Sequence, residues 1–180
     1  KKSFIISIVI MLILGIGCTT LAKTFSPGEA MHEVITEMSN DAKAEEILAD
    51  MTIEEKVGQL FLARCDDAYA LEHIDSFHLG GFVLFGEDFQ NQTQKSFREK
   101  ISRYQAASRL PMLIAVDEEG GTVTRVSRYP QFRSSNFPSP RNLYNQGGLD
   151  LVLETEAEKC ELLTFLGINV NLGPVCDIST

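Results

Sequence analysis

The residues of this sequence best placed to do chemistry are three consecutive carboxylates, Asp117-Glu118-Glu119, followed by Gly120-Gly121 and, eight positions past Asp117, Arg125. A glycine pair lets the backbone turn sharply or approach a ligand closely. After such a turn Arg125 can return its guanidinium to the same rim and hold a carboxylate in place through directed N–H donors. A strand end with solvated acids and a surface arginine fits these residues equally well. Metal chemistry has no support: the four cysteines (Cys18, Cys65, Cys160 and Cys176) form no CxxC pair, and His32, His73 and His78 make no ligand cluster. No cofactor is expected.

The acids follow Pro111 and an unbroken apolar run over 112–116. A run of that length, bounded by turn signals, reads as a strand buried on both faces. Its C-terminal tip is where parallel α/β folds place their reactive groups. Upstream, Thr52-Ile53-Glu54-Glu55 has the capping-box pattern and opens a helix expected to carry Val57, Leu60 and Phe61 on one face. A helical stretch over 71–78 leads through Gly80-Gly81 into a strand at 82–86. Residues 90–108 place Phe97, Ile101 and Tyr104 at helical spacing ahead of the 112–116 strand. Beyond a loop with Pro130, Pro138 and Pro140, residues 149–166 put Leu153, Ala157, Cys160 and Leu163 on one stripe, with Gly167 as cap. Residues 168–175 read as a third strand, ending near Asp177.

Helices alternating with buried strands imply a parallel sheet. A doubly wound sheet and a barrel both fit that order. Neither GxGxxG nor GxxxxGK[ST] follows any strand, which favours a TIM-type (β/α)8 barrel. Such a barrel typically needs about 250 residues, so only its first three or so strands are expected in this chain.

The length, 180 residues, suits one domain, and a formal net charge of −9 gives nucleic-acid binding no electrostatic support. Lys1-Lys2, an apolar stretch over 4–16 and small residues around Gly17-Cys18 have the layout of an export signal. Cys18 resembles the lipidated cysteine of bacterial lipoproteins, although Gly15 stands where leucine is usual; cleavage after Ala22 is the competing reading. The expected organisation is an export signal over 1–22, a tether and helix over 23–50, and part of a barrel over 51–180. The location is extracytoplasmic, lipid-anchored or secreted, and any membrane association runs through that anchor. Cys160 on its stripe and Cys176 at a strand end read as buried free thiols.

Four stretches together resemble the N-terminal domain of glycoside hydrolase family 3, in its bacterial β-N-acetylhexosaminidase branch. They are Met51-Thr52-Ile53-Glu54-Glu55-Lys56-Val57-Gly58-Gln59-Leu60, Leu79-Gly80-Gly81-Phe82-Val83-Leu84-Phe85, the segment 114–125, and 166–177 with its Asn169-Val170-Asn171-Leu172-Gly173-Pro174 core. The resemblance implies a retaining glycosidase that removes terminal β-linked N-acetylglucosamine from cell-wall fragments, so the partner is a carbohydrate. Asp117 and Arg125 match the acid and arginine that bind sugar hydroxyls. Glu119 and Asp177 match positions read here as mainly structural, bonding loop amides. Glu118 stands where glutamine is frequent, and Thr122 where many relatives carry a basic residue. The family's nucleophilic aspartate and acid/base histidine lie past the point that Thr180 reaches, so the 180-residue polypeptide is expected to be catalytically silent. A β-glucosidase-like member and a non-catalytic glycan-binding lipoprotein are the alternatives.

Overall fold

The computed structural model describes residues 40–175. The expectations for the export signal, Cys18, the tether over 23–39, Cys176 and Asp177 lie outside those residues. The chain divides into two units, Lys1–Asp50 and Met51–Thr180. In the first, residues 40–50 form helix α1, as a stretch of good helix formers should. Among the described residues, no helix is long and apolar enough to cross a membrane.

The second unit runs α2 (Ile53–Gly58), β1 (Leu62–Arg64), α3 (Ala70–Phe77), β2 (Gly81–Leu84), a 3-10 turn (Gly86–Phe89), α4 (Gln94–Ala107), β3 (Leu113–Val116), α5 (Pro140–Leu166) and β4 (Val170–Asn171). All four strands are parallel and lie in the order β1-β2-β3-β4. A doubly wound sheet reverses its strand order partway and alternates its helices between faces. Here the order never reverses, and α3 packs on α4 and α4 on α5. This is the winding of a partial barrel.

The capping box at Thr52 forms as expected: Thr52 Oγ1 accepts from the Glu55 N–H, and a Glu55 carboxylate oxygen accepts from the Thr52 N–H. The helix nevertheless stops at Gly58, so Leu60 and Phe61 fall beyond it and the three residues do not share a helical face. The next residues form β1, a strand the pattern did not reveal, and Leu60 is left 82% exposed. The last residue of α2 must be glycine, because a Cβ at Gly58 would lie 2.1 Å from the Phe77 carbonyl oxygen. At this crossing α2 meets the end of α3 too closely for any side chain.

The core lies between the sheet and its helices. Register pairs Phe82 with Ile114 and Leu84 with Val116, and these four fully buried side chains share a cluster with Phe97, Ile101, Leu163 and Leu166. Phe89, Phe97 and Phe132 form an aromatic group, with Phe89 stacked on Phe97 at 4.7 Å and Phe132 edge-on to both. Phe132 belongs to the excursion between β3 and α5, so the core also anchors the segment that carries Arg125.

Helix α5 departs from expectation twice. It begins at Pro140, capped by Ser139, and breaks at Gly147 and Gly148 (φ 66°) before continuing to Gly167. Its buried face is Thr155, Lys159, Leu163 and Leu166, while Leu153, Ala157 and Cys160 are exposed. Cys160 is therefore a surface thiol and Cys65 the buried one. The stripe misled because two of the inward positions are polar.

Candidate functional site

At the strand ends, polar residues gather on one rim. Asp66 and Asp67 follow β1, Phe85 and the Gly86–Phe89 turn follow β2, and Asp117-Glu118-Glu119 follow β3. Asp117 and Arg125 come together there. Arg125 Nη2 lies 3.4 Å from Asp117 Oδ2, and both side chains are about one quarter exposed. That spacing is longer than a charge-assisted bond prefers, so the pair is adjacent without being locked. The Arg125 guanidinium sits 5.8 Å from the Phe85 ring centre. Its Nε is buried and has no hydrogen-bond partner among the described residues. A carboxylate that accepts and a guanidinium that donates, side by side and partly open on a rim, can take a ligand rich in hydroxyl groups.

The loop bearing Arg125 is built around Glu118, the acid that sequence reasoning passed over. Its side chain is fully buried. One carboxylate oxygen accepts from the Arg125 and Val126 N–H groups at 2.7 Å each, and the other from the Ser127 N–H at 3.3 Å and the Ser127 hydroxyl. The Phe137 N–H in turn donates to Ser127 Oγ at 3.1 Å. A signal for this was present: strand alternation carried two residues beyond Val116 puts Glu118 on the side of Ile114 and Val116, and Asp117 on the other.

β4 is only two residues long, and two asparagines extend its hold on β3. Asn169 accepts from the Ile114 N–H at 2.7 Å and donates to the Met112 carbonyl at 3.0 Å. Asn171 does the same to Glu118, at 2.9 and 3.1 Å. Side-chain amides thus supply the donor and acceptor that a longer strand's backbone would provide. Glu119 accepts from the Val175 N–H at 3.0 Å. Its carbonyl receives the buried Lys159 ammonium at 3.2 Å, which also pairs with Glu156. At Gly120 (φ 98°) a Cβ would fall 2.3 Å from the Pro138 carbonyl oxygen, so both the turn and the close approach need glycine. Thr122 is exposed.

A second polar group under the rim also escaped sequence reasoning. Lys100 is almost wholly buried; its ammonium donates to both Asp67 oxygens at 3.1 Å and to the Asp88 carbonyl at 3.0 Å. The Tyr104 hydroxyl donates to Asp67 Oδ1 at 2.9 Å. Burial pushes the Asp67 carboxyl up, but the Tyr104 hydroxyl and the Lys100 ammonium outweigh it and hold the group below the ordinary carboxylate value. Burial pushes Asp88 upward, against the Phe85 N–H that its side chain accepts. Burial raises the Cys65 thiol to about 12. Potential ligand atoms of Cys65, Asp67 and Asp88 lie within 4.8 Å of one another. The cation beside them is Lys100, so this cluster reads as a structural ion pair that ties β1 and β2 to α4.

The strand order and rim define the chain as part of a parallel α/β barrel with an acid–guanidinium pair at the tip of its third strand. The model of the glycosyl hydrolase family 3 N-terminal domain matches residues 52–180, and the chain belongs to that family. A β-hexosaminidase A of Pseudoalteromonas piscicida is 31% identical over 112 residues, covering 61% of this chain and 19% of its own length. Among solved structures, a family 3 glycosyl hydrolase of Mycobacterium smegmatis superposes with a TM-score of 0.61 at 26% identity, covering 73% of this chain and 38% of that one. A family 3 β-N-acetylglucosaminidase of a Paenibacillus species gives 0.58 at 28% identity, covering 69% and 24%. The chain therefore spans between about a fifth and two fifths of these relatives.

Proposed function

We propose that this chain is the sugar-binding floor of a glycosidase that removes terminal β-linked N-acetylglucosamine, with Asp117 and Arg125 gripping hydroxyls of the terminal sugar. The observation that carries this reading is their juxtaposition at the end of β3, 3.4 Å apart and partly open. A carboxylate can accept from two hydroxyls while the guanidinium donates to another. Holding the ring this way presents its anomeric carbon to a nucleophile at a useful distance. Relatives named β-hexosaminidase and β-N-acetylglucosaminidase support the substrate class. Retaining hydrolysis needs two groups flanking the scissile bond. We assign those to the part of the protein beyond Thr180, and export, ending in a lipid anchor at Cys18 or in secretion, to residues 1–22. Cell-wall fragments are then the natural source of substrate.

The test is release of p-nitrophenol from its β-N-acetylglucosaminide and β-glucoside by the full-length protein. The N-acetyl substrate should be preferred. Asp117→Ala and Arg125→Ala should each lower kcat/KM by about a hundredfold, as loss of hydrogen bonds to charged groups implies. Preference for the glucoside would shift the reading to a β-glucosidase, and no turnover with intact glycan binding would make it a binding lipoprotein. Activity in the purified 180-residue chain would contradict the placement of the reacting groups.

A further inference from the structure

We propose that Glu118 is the positioning residue of this site: its buried carboxylate fixes the loop over 119–127 so that the Arg125 guanidinium stays beside Asp117. The inference rests on the sugar-binding reading of that pair. Arg125 is held to Asp117 by a single 3.4 Å contact, too loose to define where the guanidinium sits. What defines it is the main chain at residues 125–127. Three consecutive N–H groups there converge on one carboxylate, with the Ser127 hydroxyl as a further donor. Glu118 is fixed from the other side as well, since its own N–H and carbonyl are both held by the Asn171 side-chain amide. The acid is thus clamped to β4 and clamps the returning arm of the loop.

Every group that meets the Glu118 carboxylate is a donor. An ionised glutamate, acceptor on both oxygens, satisfies all of them. A glutamine can present its oxygen to the Arg125 and Val126 N–H groups, but its NH2 then faces the Ser127 N–H. The Ser127 hydroxyl can turn to accept from that NH2; the Ser127 N–H cannot. Glutamine therefore keeps the outer half of the clamp and loses the inner half, whereas alanine loses both.

The experiment uses the full-length protein with three readouts. These are amide hydrogen exchange at residues 125–127, the rate of phenylglyoxal modification of Arg125, and titration with N-acetylglucosamine followed by NMR. Variants are Glu118→Gln, Glu118→Ala, Asn171→Ala and Arg125→Ala. In Glu118→Gln, exchange at Ser127 should rise about tenfold or more, the scale of one lost bond to a charged acceptor, with Val126 changed less. Arg125 should react faster and sugar affinity should fall. Asn171→Ala should weaken affinity in the same direction without touching the carboxylate. Should Glu118→Ala fail to fold, the glutamine and Asn171 variants still decide the matter. Unchanged exchange and unchanged affinity in Glu118→Gln would overturn the proposal while leaving the sugar-binding reading intact. Faster exchange with wild-type affinity would also overturn it, reducing Glu118 to a stabilising role. If Arg125→Ala binds sugar like wild type, or wild type binds none, the sugar-binding reading falls and takes the positioning role with it.

Discussion

Removing the hydroxyl of Tyr104 tests how the buried polar group beneath the rim is held together. Tyr104→Phe keeps the ring, and with it the edge-on contact to Phe82 at 5.5 Å. It deletes the donor to Asp67 Oδ1 at 2.9 Å and the weak acceptor for the Cys65 thiol. A hydrogen bond to a charged partner is worth about 1.5–3 kcal/mol. The Asp67 side chain is 48% exposed, so water replaces part of what is lost and screening trims the rest; about 1 kcal/mol at neutral pH is the expected cost. The sign of the pH dependence follows from Asp67. Its folded pKa lies below the ordinary 3.8. Its contribution is therefore fully present above that value and is lost as pH falls through the lower folded one. The gap between wild type and variant should be full at neutral pH and close in strong acid, once Asp67 is protonated in both states. Asp88, whose carboxyl burial raises, titrates nearby but is common to both proteins. Urea unfolding followed by circular dichroism, across pH and in an Asp67→Asn background, reads the difference. A penalty that persists in acid, or is as large with Asn at position 67, would refute the assignment of the bond to the ionised acid.

Two further outcomes follow from packing and burial. Phe97→Ala should cost about 3–5 kcal/mol in denaturant unfolding, since its ring is fully buried between Phe89 and Phe132; a loss below about 1 kcal/mol would mean that the neighbouring rings collapse to fill the space. With a maleimide reagent and peptide mapping, Cys160 should label readily in the native chain and Cys65 only on unfolding. Cys160 is exposed, whereas burial drives the Cys65 thiol to about 12 and starves it of the reactive thiolate. Equal labelling of the two would contradict the burial assigned to Cys65.

Elements whose local pattern and tertiary role agree were legible from the sequence. Phe97, Ile101 and Tyr104 point from α4 into the core at helical spacing, and Phe82, Leu84, Ile114 and Val116 fill the sheet's buried face. The misreadings occur where a contact remote in sequence overrides the local pattern. At Gly58, the last residue of α2, the chain at Phe77 and His78 comes too close for a Cβ, and nothing within 52–61 announces that neighbour. On α5 an apolar stripe through Leu153 and Cys160 faces outward. Lys159 faces inward because its ammonium finds the Glu119 carbonyl and Glu156; a buried amine is tolerable only with such partners, and they lie partly on another element. The same logic separates the three acids at the end of β3. As carboxylates they are equivalent, and apart from the family resemblance nothing in the sequence chooses among them. The loop's returning N–H groups make Glu118 the one that is buried, Val175 engages Glu119, and Asp117 keeps an oxygen on the rim beside Arg125. Alternation past Val116 could have sorted Asp117 from Glu118, but only once that run was known to be a strand whose Ile114 and Val116 side faces the helices. What makes one carboxylate a candidate ligand and its neighbour a buried anchor is therefore the direction of the strand's pleat, a property of the sheet as a whole.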